Sequence, residues 1–204
     1  VDFTAEVERS LRVLDSAIVL FCGVGGVEPQ SETVWHQAER YGIPRIAFVN
    51  KLDRTGSNFN RVLEMMQDRL GTQPVAIQMP LGREEGFCGV IDLIEMCALT
   101  WAKEQHEGHP PQIQPIPAEY HNLALKERSR LLETVSLFDE TLFERVVEGQ
   151  PITAQQLRRA IRCAALQREI TPVLCGAAIR NIGIQPLLDA VVDYLPSPID
   201  IPPI

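Results

Sequence analysis

Three short apolar runs, each ending at a Gly or an Asn, leave this chain few folds to choose from. Ala17 to Cys22 reads A-I-V-L-F-C, Arg45 to Val49 reads R-I-A-F-V, and Pro172 to Cys175 reads P-V-L-C. Runs this short without polar alternation suit strands buried on both faces of a parallel sheet. Helical stripes separate them. Val34, Ala38 and Tyr41 precede a stop at Gly42 and Pro44, and Phe59, Val62, Leu63, Met66 and Leu70 follow. Val7, Leu11 and Leu14 give an opening helix from Thr4 to Leu14, and Val75 to Met79 reads as a further strand. Strand and helix in alternation imply right-handed crossovers and an α/β sheet with flanking helices.

From about residue 81 the rhythm breaks. G-F-C-G-V-I-D-L-I-E and C-A-L-T-W read as an antiparallel pair, followed by a Pro- and Gly-rich loop from His106 to Pro117. Charged helical stretches run from Ala118 to about Val135 and from Asp139 to Glu148, and Thr153 with Gln156 is a capping-box signature for a helix to about Gln167. The α/β rhythm then returns with the run ending at Cys175, a turn from Gly176 to Asn181, and a last helix. That helix has Pro186 in its first turn, Leu187, Leu188, Val191, Val192 and Leu195 as its buried face, and Pro196 at its end. The organisation expected is a core at 1–80, an α+β insertion at 81–168 with edges good to ten residues, the core again at 169–196, and a linker at 197–204.

Composition narrows the function. With 45% apolar and 23% charged residues over 204 positions, the chain is globular rather than disordered. Its longest apolar stretch, Ala17 to Val27, has 11 residues and includes Gly23, Gly25 and Gly26, too short to cross a bilayer, and no basic-then-apolar start suggests a signal peptide. A net charge of −8 argues against a basic, nonspecific nucleic-acid surface. The five cysteines form no C-x-x-C, which reads as reduced thiols in a cytoplasmic protein rather than a zinc site. His106 and His109 lie in a loop with no second ligand pair nearby. Trp35 and Trp101 read as packing residues, and the charged helices of 118–148 as solvated faces.

The chemistry concentrates at Asn50-Lys51-Leu52-Asp53, directly after a buried strand. In an open α/β sheet, ligands bind beyond the carboxyl ends of the strands. An Asp carboxylate offers two acceptors, which can take the N1–H and the exocyclic 2-amino hydrogen of guanine together. Adenine presents no such pair on that edge, and a buried carboxylate left unpaired makes the choice steep. The Asn amide can address the other edge or tie neighbouring loops, and the Lys stem can lie over the ring. Asn, Lys and Asp at this spacing arise by chance in about one chain in forty of this length, and the same residues also suit a solvated turn with an Asx cap. Gly176-Ala177-Ala178, after the later strand, stands where backbone N–H groups would be aimed at guanine O6.

At this point the chain resembles bacterial elongation factor G. The runs that carry the resemblance are Val1-Asp2-Phe3-Thr4 with Glu6 to Asp15, Gly25-Gly26-Val27 through Gln30 to Trp35, Pro44 to Arg54, Gly89 to Ile94, and Gln185 to Pro196. The likeness covers all 204 residues. It implies a partial P-loop-NTPase-like α/β sheet, interrupted by an α+β insertion, from the later part of a guanine-nucleotide domain. Asn50, Lys51 and Asp53 become its base-recognition motif, and Gly176, Ala177, Ala178 and Ile179 its second guanine loop. That loop usually reads G-S-A. Here Ala177 replaces the Ser, so a hydroxyl contact is missing while backbone N–H donors at Ala177 and Ala178 remain.

The resemblance also implies GTP and GDP as ligands, Mg²⁺ with ligands outside this chain, the ribosome as partner, and the acidic stalk protein as a contact of the insertion. It implies neither a membrane nor sequence-specific nucleic-acid binding. The phosphate loop G-x-x-x-x-G-K-[ST] is absent, since none of Lys51, Lys103 and Lys126 follows a Gly. It and the γ-phosphate-sensing D-x-P-G-H are expected upstream of Val1. The chain is therefore expected to hold no catalytic residue, to hydrolyse no GTP alone, and to leave one side of its sheet uncovered. The parent would be a GTPase driving translocation of tRNA and mRNA. Alternatives are a nucleotide-free α/β interaction module, or a ribosome-protection or release factor of the same superfamily.

Overall fold

The computed structural model of the chain describes residues 4–101, 110–197, 199 and 200. The loop that holds His106 and His109, and the end of the expected linker, lie outside these residues. Two four-stranded sheets organise the rest. The first is parallel, in the order β1 (Ala17–Cys22), β2 (Arg45–Asn50), β8 (Thr171–Cys175), β3 (Pro74–Ala76). The second is antiparallel, in the order β4 (Gln78–Leu81), β5 (Gly89–Asp92), β6 (Cys97–Thr100), β7 (Gln112–Gln114). The α/β fold with an α+β insertion follows.

The central strands are apolar throughout because both their faces are covered. Ile46 and Phe48 of β2, with Leu174 of β8, face one cluster. That cluster is filled by α6 (Ala154–Leu166) and α7 (Ile184–Tyr194), through Leu157, Ile161, Leu187 and Tyr194. Ala47 and Val49, with Val173 and Cys175, face the other, filled by Trp35 of α2 (Pro29–Arg40) and by Val62 and Met66 of α3 (Phe59–Leu70). Burial in that second cluster pushes the Cys175 thiol far up from its ordinary pKa.

The strands and helices of the core depart from expectation in several places. β1 is covered on one face only: Phe21 is buried, while Ile18 and Leu20 are 42% and 60% exposed. It is an edge strand, and α6 and α7 do not reach its second face. Val75 to Met79 is two strands, because the chain changes sheets at Ile77, whose N–H donates to Val173 O while its carbonyl accepts from Leu93 N. Along α2 and its C-cap Tyr41, Trp35 and Ala38 are buried while Val34 and Tyr41 are exposed. The indole wins the interior because Arg45, itself buried, stacks 4.1 Å over its ring and pairs with Glu39 at 2.6 Å. Within α7, Leu187, Ala190 and Tyr194 are buried, while Leu188 and Val192 are exposed.

The insertion packs α4 (Ala118–Ser136), α5 (Glu140–Val147) and α6 beside the second sheet. The helix α6 starts on the capping box read from the sequence: Thr153 Oγ1 accepts from Gln156 N, and Gln156 Oε1 accepts from Thr153 N. β7 falls within the stretch read as loop. At the opposite end of the chain, α1 (Thr4–Leu11) stops three residues short of its expected end, with Leu11 buried and Leu14 exposed. Among the described residues, no helix is long and apolar enough to cross a membrane.

At the end of β5, Asp92 Oδ1 accepts from Ile94 N at 2.7 Å and Glu95 N at 2.9 Å. Burial nevertheless raises the carboxyl above its usual range, against the pull of those N–H groups and Arg158. A raised native pKa favours folding at low pH, and that contribution is lost as pH climbs through it. Asp92→Asn keeps the accepting oxygen and removes the buried charge. We expect its urea midpoint at pH 7 to equal or exceed that of the unsubstituted protein, with the difference shrinking as pH falls through the raised pKa and gone below about pH 4.

Candidate functional site

Asn50 is the last residue of β2, and the chain reverses immediately after it. Lys51 adopts φ 64, a left-handed backbone uncommon for a side-chain-bearing residue. Asn50 Oδ1 accepts from Lys51 N at 2.7 Å, which fixes that turn from within. The loop is closed further on by Arg54 N to Lys51 O, Ser57 N to Arg54 O, and Ser57 Oγ to Leu52 O at 2.8 Å. Leu52 is buried and anchors the loop in the second cluster. The flanking Lys51 is exposed and Asp53 half-buried. Within the four-residue motif Asn50 and Leu52 thus act as anchors, while Lys51 and Asp53 keep side chains accessible to solvent.

The second loop leaves β8 beside it. Gly176 N donates to Val49 O, and Leu52 N donates to Gly176 O at 3.2 Å, so the two loops share main-chain bonds. The sequence-derived role of Asn50 divides at this point. Its same Oδ1 atom accepts from Ala178 N at 3.0 Å, 128 residues away. One carboxamide oxygen therefore joins both loops.

That geometry also revises the expected donors. The Ala177 N–H donates to Ile182 O at 3.0 Å and the Ala178 N–H to Asn50, so both are used within the chain and neither is left over for a ligand. Ala177 is buried, whereas Ala178 is exposed and Ile179 is 86% exposed beyond it. All seven residues singled out in the sequence lie in these two adjoining loops.

Some contributors escaped the sequence reading. Gly23, at the end of β1, donates its N–H to Asn50 O at 2.7 Å and accepts from Asn58 N at 2.9 Å, bracing the loop from the far side. Its signal was visible, since a Gly directly follows an apolar run as Gly176 does. Gly183 takes φ 84, and a Cβ there would stand 2.4 Å from Cys175 O. A cavity of about 270 Å³ lies between α3 and α4, touching Leu52 and Ser57 from behind. It is set apart from the outward faces of Lys51 and Asp53. Among the described residues, no three His, Cys, Asp or Glu side chains group as a metal site would need.

The Elongation factor Tu GTP binding domain family matches residues 1–197. The chain belongs to that family of translational GTPase domains. Its fold superposes on the crystal structure of a protein from Thermus thermophilus with a TM-score of 0.84 over 97% of this chain, at 31% sequence identity. The chain spans 29% of the length of that Thermus protein.

A Cβ built on Gly176 would lie 2.2 Å from Ile182 O and 2.7 Å from Phe48 Cζ. Gly86, by contrast, has nothing within 4 Å. Gly176→Ala is expected to destabilise by on the order of 1–3 kcal/mol, and Gly86→Ala to stay within about 0.5 kcal/mol of the unsubstituted protein. Urea unfolding of the two variants checks the pair.

Proposed function

We propose that this chain reads the guanine base of GTP and GDP for a translational GTPase of the elongation factor G type. The observation that carries the reading is the Asn50 oxygen shared by Lys51 N and Ala178 N, which holds the two loops as one surface. On that surface Asp53 accepts the N1–H and 2-amino hydrogens, and the Lys51 stem covers one ring face. Gly176, Ala177, Ala178 and Ile179 supply the wall facing O6. Asn50 supports that wall rather than selecting the base, because its oxygen is occupied by two backbone donors.

In this reading the chain is the base-recognising part of a longer factor, and the 29% share of the Thermus protein's length supports it. Bound nucleotide would supply the phosphoanhydride that is cleaved. Phosphoryl transfer is mostly electrostatic positioning of γ-phosphate, metal and water. No residue of this chain forms a phosphate loop, so Mg²⁺ and the attacking water belong to other segments. The whole factor would act in the cytoplasm on the ribosome, promoting movement of tRNA and mRNA, with the insertion at 81–168 facing the stalk protein. A ribosome-protection or release factor of the same superfamily is the second reading, supported by the same family match.

Asp53→Asn tests the base reading in the intact protein. The substitution places an amide donor against the 2-amino group, which clashes, whereas xanthine offers a carbonyl there. Each exchanged hydrogen bond in a dry site is worth on the order of 1–3 kcal/mol. The expected result is a switch of roughly a hundredfold from GDP toward XDP, read by titrating both nucleotides against both proteins. Unaltered GDP affinity would leave Asp53 as a turn residue and favour a nucleotide-free interaction module. A clean preparation of this chain alone should turn over no GTP above background.

A further inference from the structure

The turn that opens the insertion touches the far ends of both base-reading loops. It runs from Arg83 to Phe87, between β4 and β5, and winds through a short 3₁₀ turn at Glu84–Gly86. On one side, the Gly56 N–H, three residues past Asp53, donates to Glu84 Oε1 at 2.7 Å. On the other, Arg180, the residue after Ile179, donates from Nη1 to the Phe87 carbonyl at 3.0 Å. The two grips are three residues apart on a single turn.

That turn is held firmly enough to serve as a reference point. Phe87 is fully buried in the cluster that contains Val49, Leu52, Cys175, Ala177 and Ile182, the apolar footing of both loops. Glu84 keeps a left-handed backbone at φ 51 while making its contact. None of the ion pairs among the described residues includes Glu84 or Arg180, so neither side chain is recruited by an opposite charge. Each reaches across to a backbone group instead, and backbone groups are what fix loop position.

We propose that Glu84 and Arg180 are positioning residues that set the spacing between the two guanine-reading loops from the insertion's turn. The inner edges of the loops are joined by Asn50 to Ala178 and by Leu52 to Gly176; among the described residues, the turn is what links the outer edges. Guanine affinity and selectivity therefore depend on the insertion, although no insertion residue belongs to the base-reading set. This inference rests on the base reading proposed above.

Isothermal titration of the intact protein with GDP and with IDP, which lacks the 2-amino group, tests it. Arg180→Ala removes one grip. Glu84→Asn removes the other while retaining a residue tolerant of left-handed backbone. Each variant is expected to bind GDP about 5- to 20-fold more weakly, as the loss of one well-placed hydrogen bond allows. Each should also narrow the GDP-over-IDP preference at least about threefold, and Arg180→Lys should recover part of both. Unchanged GDP affinity in a folded variant overturns the proposal. So does an equal loss for GDP and IDP that merely tracks a lowered urea midpoint. Should Arg180→Ala fail to fold, Glu84→Asn decides alone. An unsubstituted protein with no preference for GDP over ADP would sink the base reading itself. Intact preference with indifferent variants sinks only the role of the turn.

Discussion

The carboxamide oxygen of Asn50 accepts two backbone N–H groups, one from the next residue and one from a loop 128 positions later. Hydrogen bonds to a shared acceptor fix the two donors relative to each other as well as to the acceptor. Without it, the direct bonds left between the two segments would be the main-chain pair of Leu52 N to Gly176 O and Gly176 N to Val49 O, neither of which touches Lys51 N or Ala178 N. Both donors sit on exposed residues, so losing the acceptor would cost the joint between the loops rather than strand two N–H groups away from water. Much of the surface's shape follows from where β2 ends and which side chain ends it.

That side chain can be placed so finely because the strand beneath it is covered on both faces. Ile46 and Phe48 lock one side and Ala47 and Val49 the other, so β2 has no freedom to slip register without exposing a full set of apolar side chains. The pairing of Val49 with Cys175 then sets the two carboxyl ends level. Arg45 secures the opposite end of the strand, its guanidinium between the Trp35 ring and Glu39. The same strand thus carries a structural cation at its start and a loop-joining amide at its finish.

Local sequence was informative where the deciding interactions are local. The N-K-L-D motif, the α6 capping box and the stripe of α3 depend on residues within a turn or two of one another, and the structure has the strands and helices these imply. What sequence hid depends on distant partners. Arg180 meets Phe87 across 93 positions, and Glu84 meets Gly56 across 28. Nothing around Glu84 marks it apart from the other acidic residues of the chain. That some side of the sheet would lie uncovered was expected, but not that it would be Ile18 and Leu20 of β1, because an apolar run looks alike in an edge strand and a central one. Leu188 and Val192 misled for a related reason: α7 rests Tyr194 and Ala190 on the core and turns the aliphatic pair away. The split of β3 from β4 turns on Ile77 bonding to both sheets, a choice made by two strands on either side of it.

The place of β8 in the first sheet carries a kinetic consequence. It is the last strand among the described residues, yet it lies between β2 and β3, which precede it by roughly a hundred residues or more. The parallel sheet cannot close until the chain has passed through the whole antiparallel sheet and its helices. β3 has no other partner in that sheet and must wait, its edge open, while the insertion takes shape. Closure of so long a loop is a late and slow event for any chain, and during synthesis it falls after the other strands of both sheets have emerged. The surface formed by Asn50 and Ala178 is then among the last parts of these two sheets to exist, so its assembly reports that the insertion between them has formed.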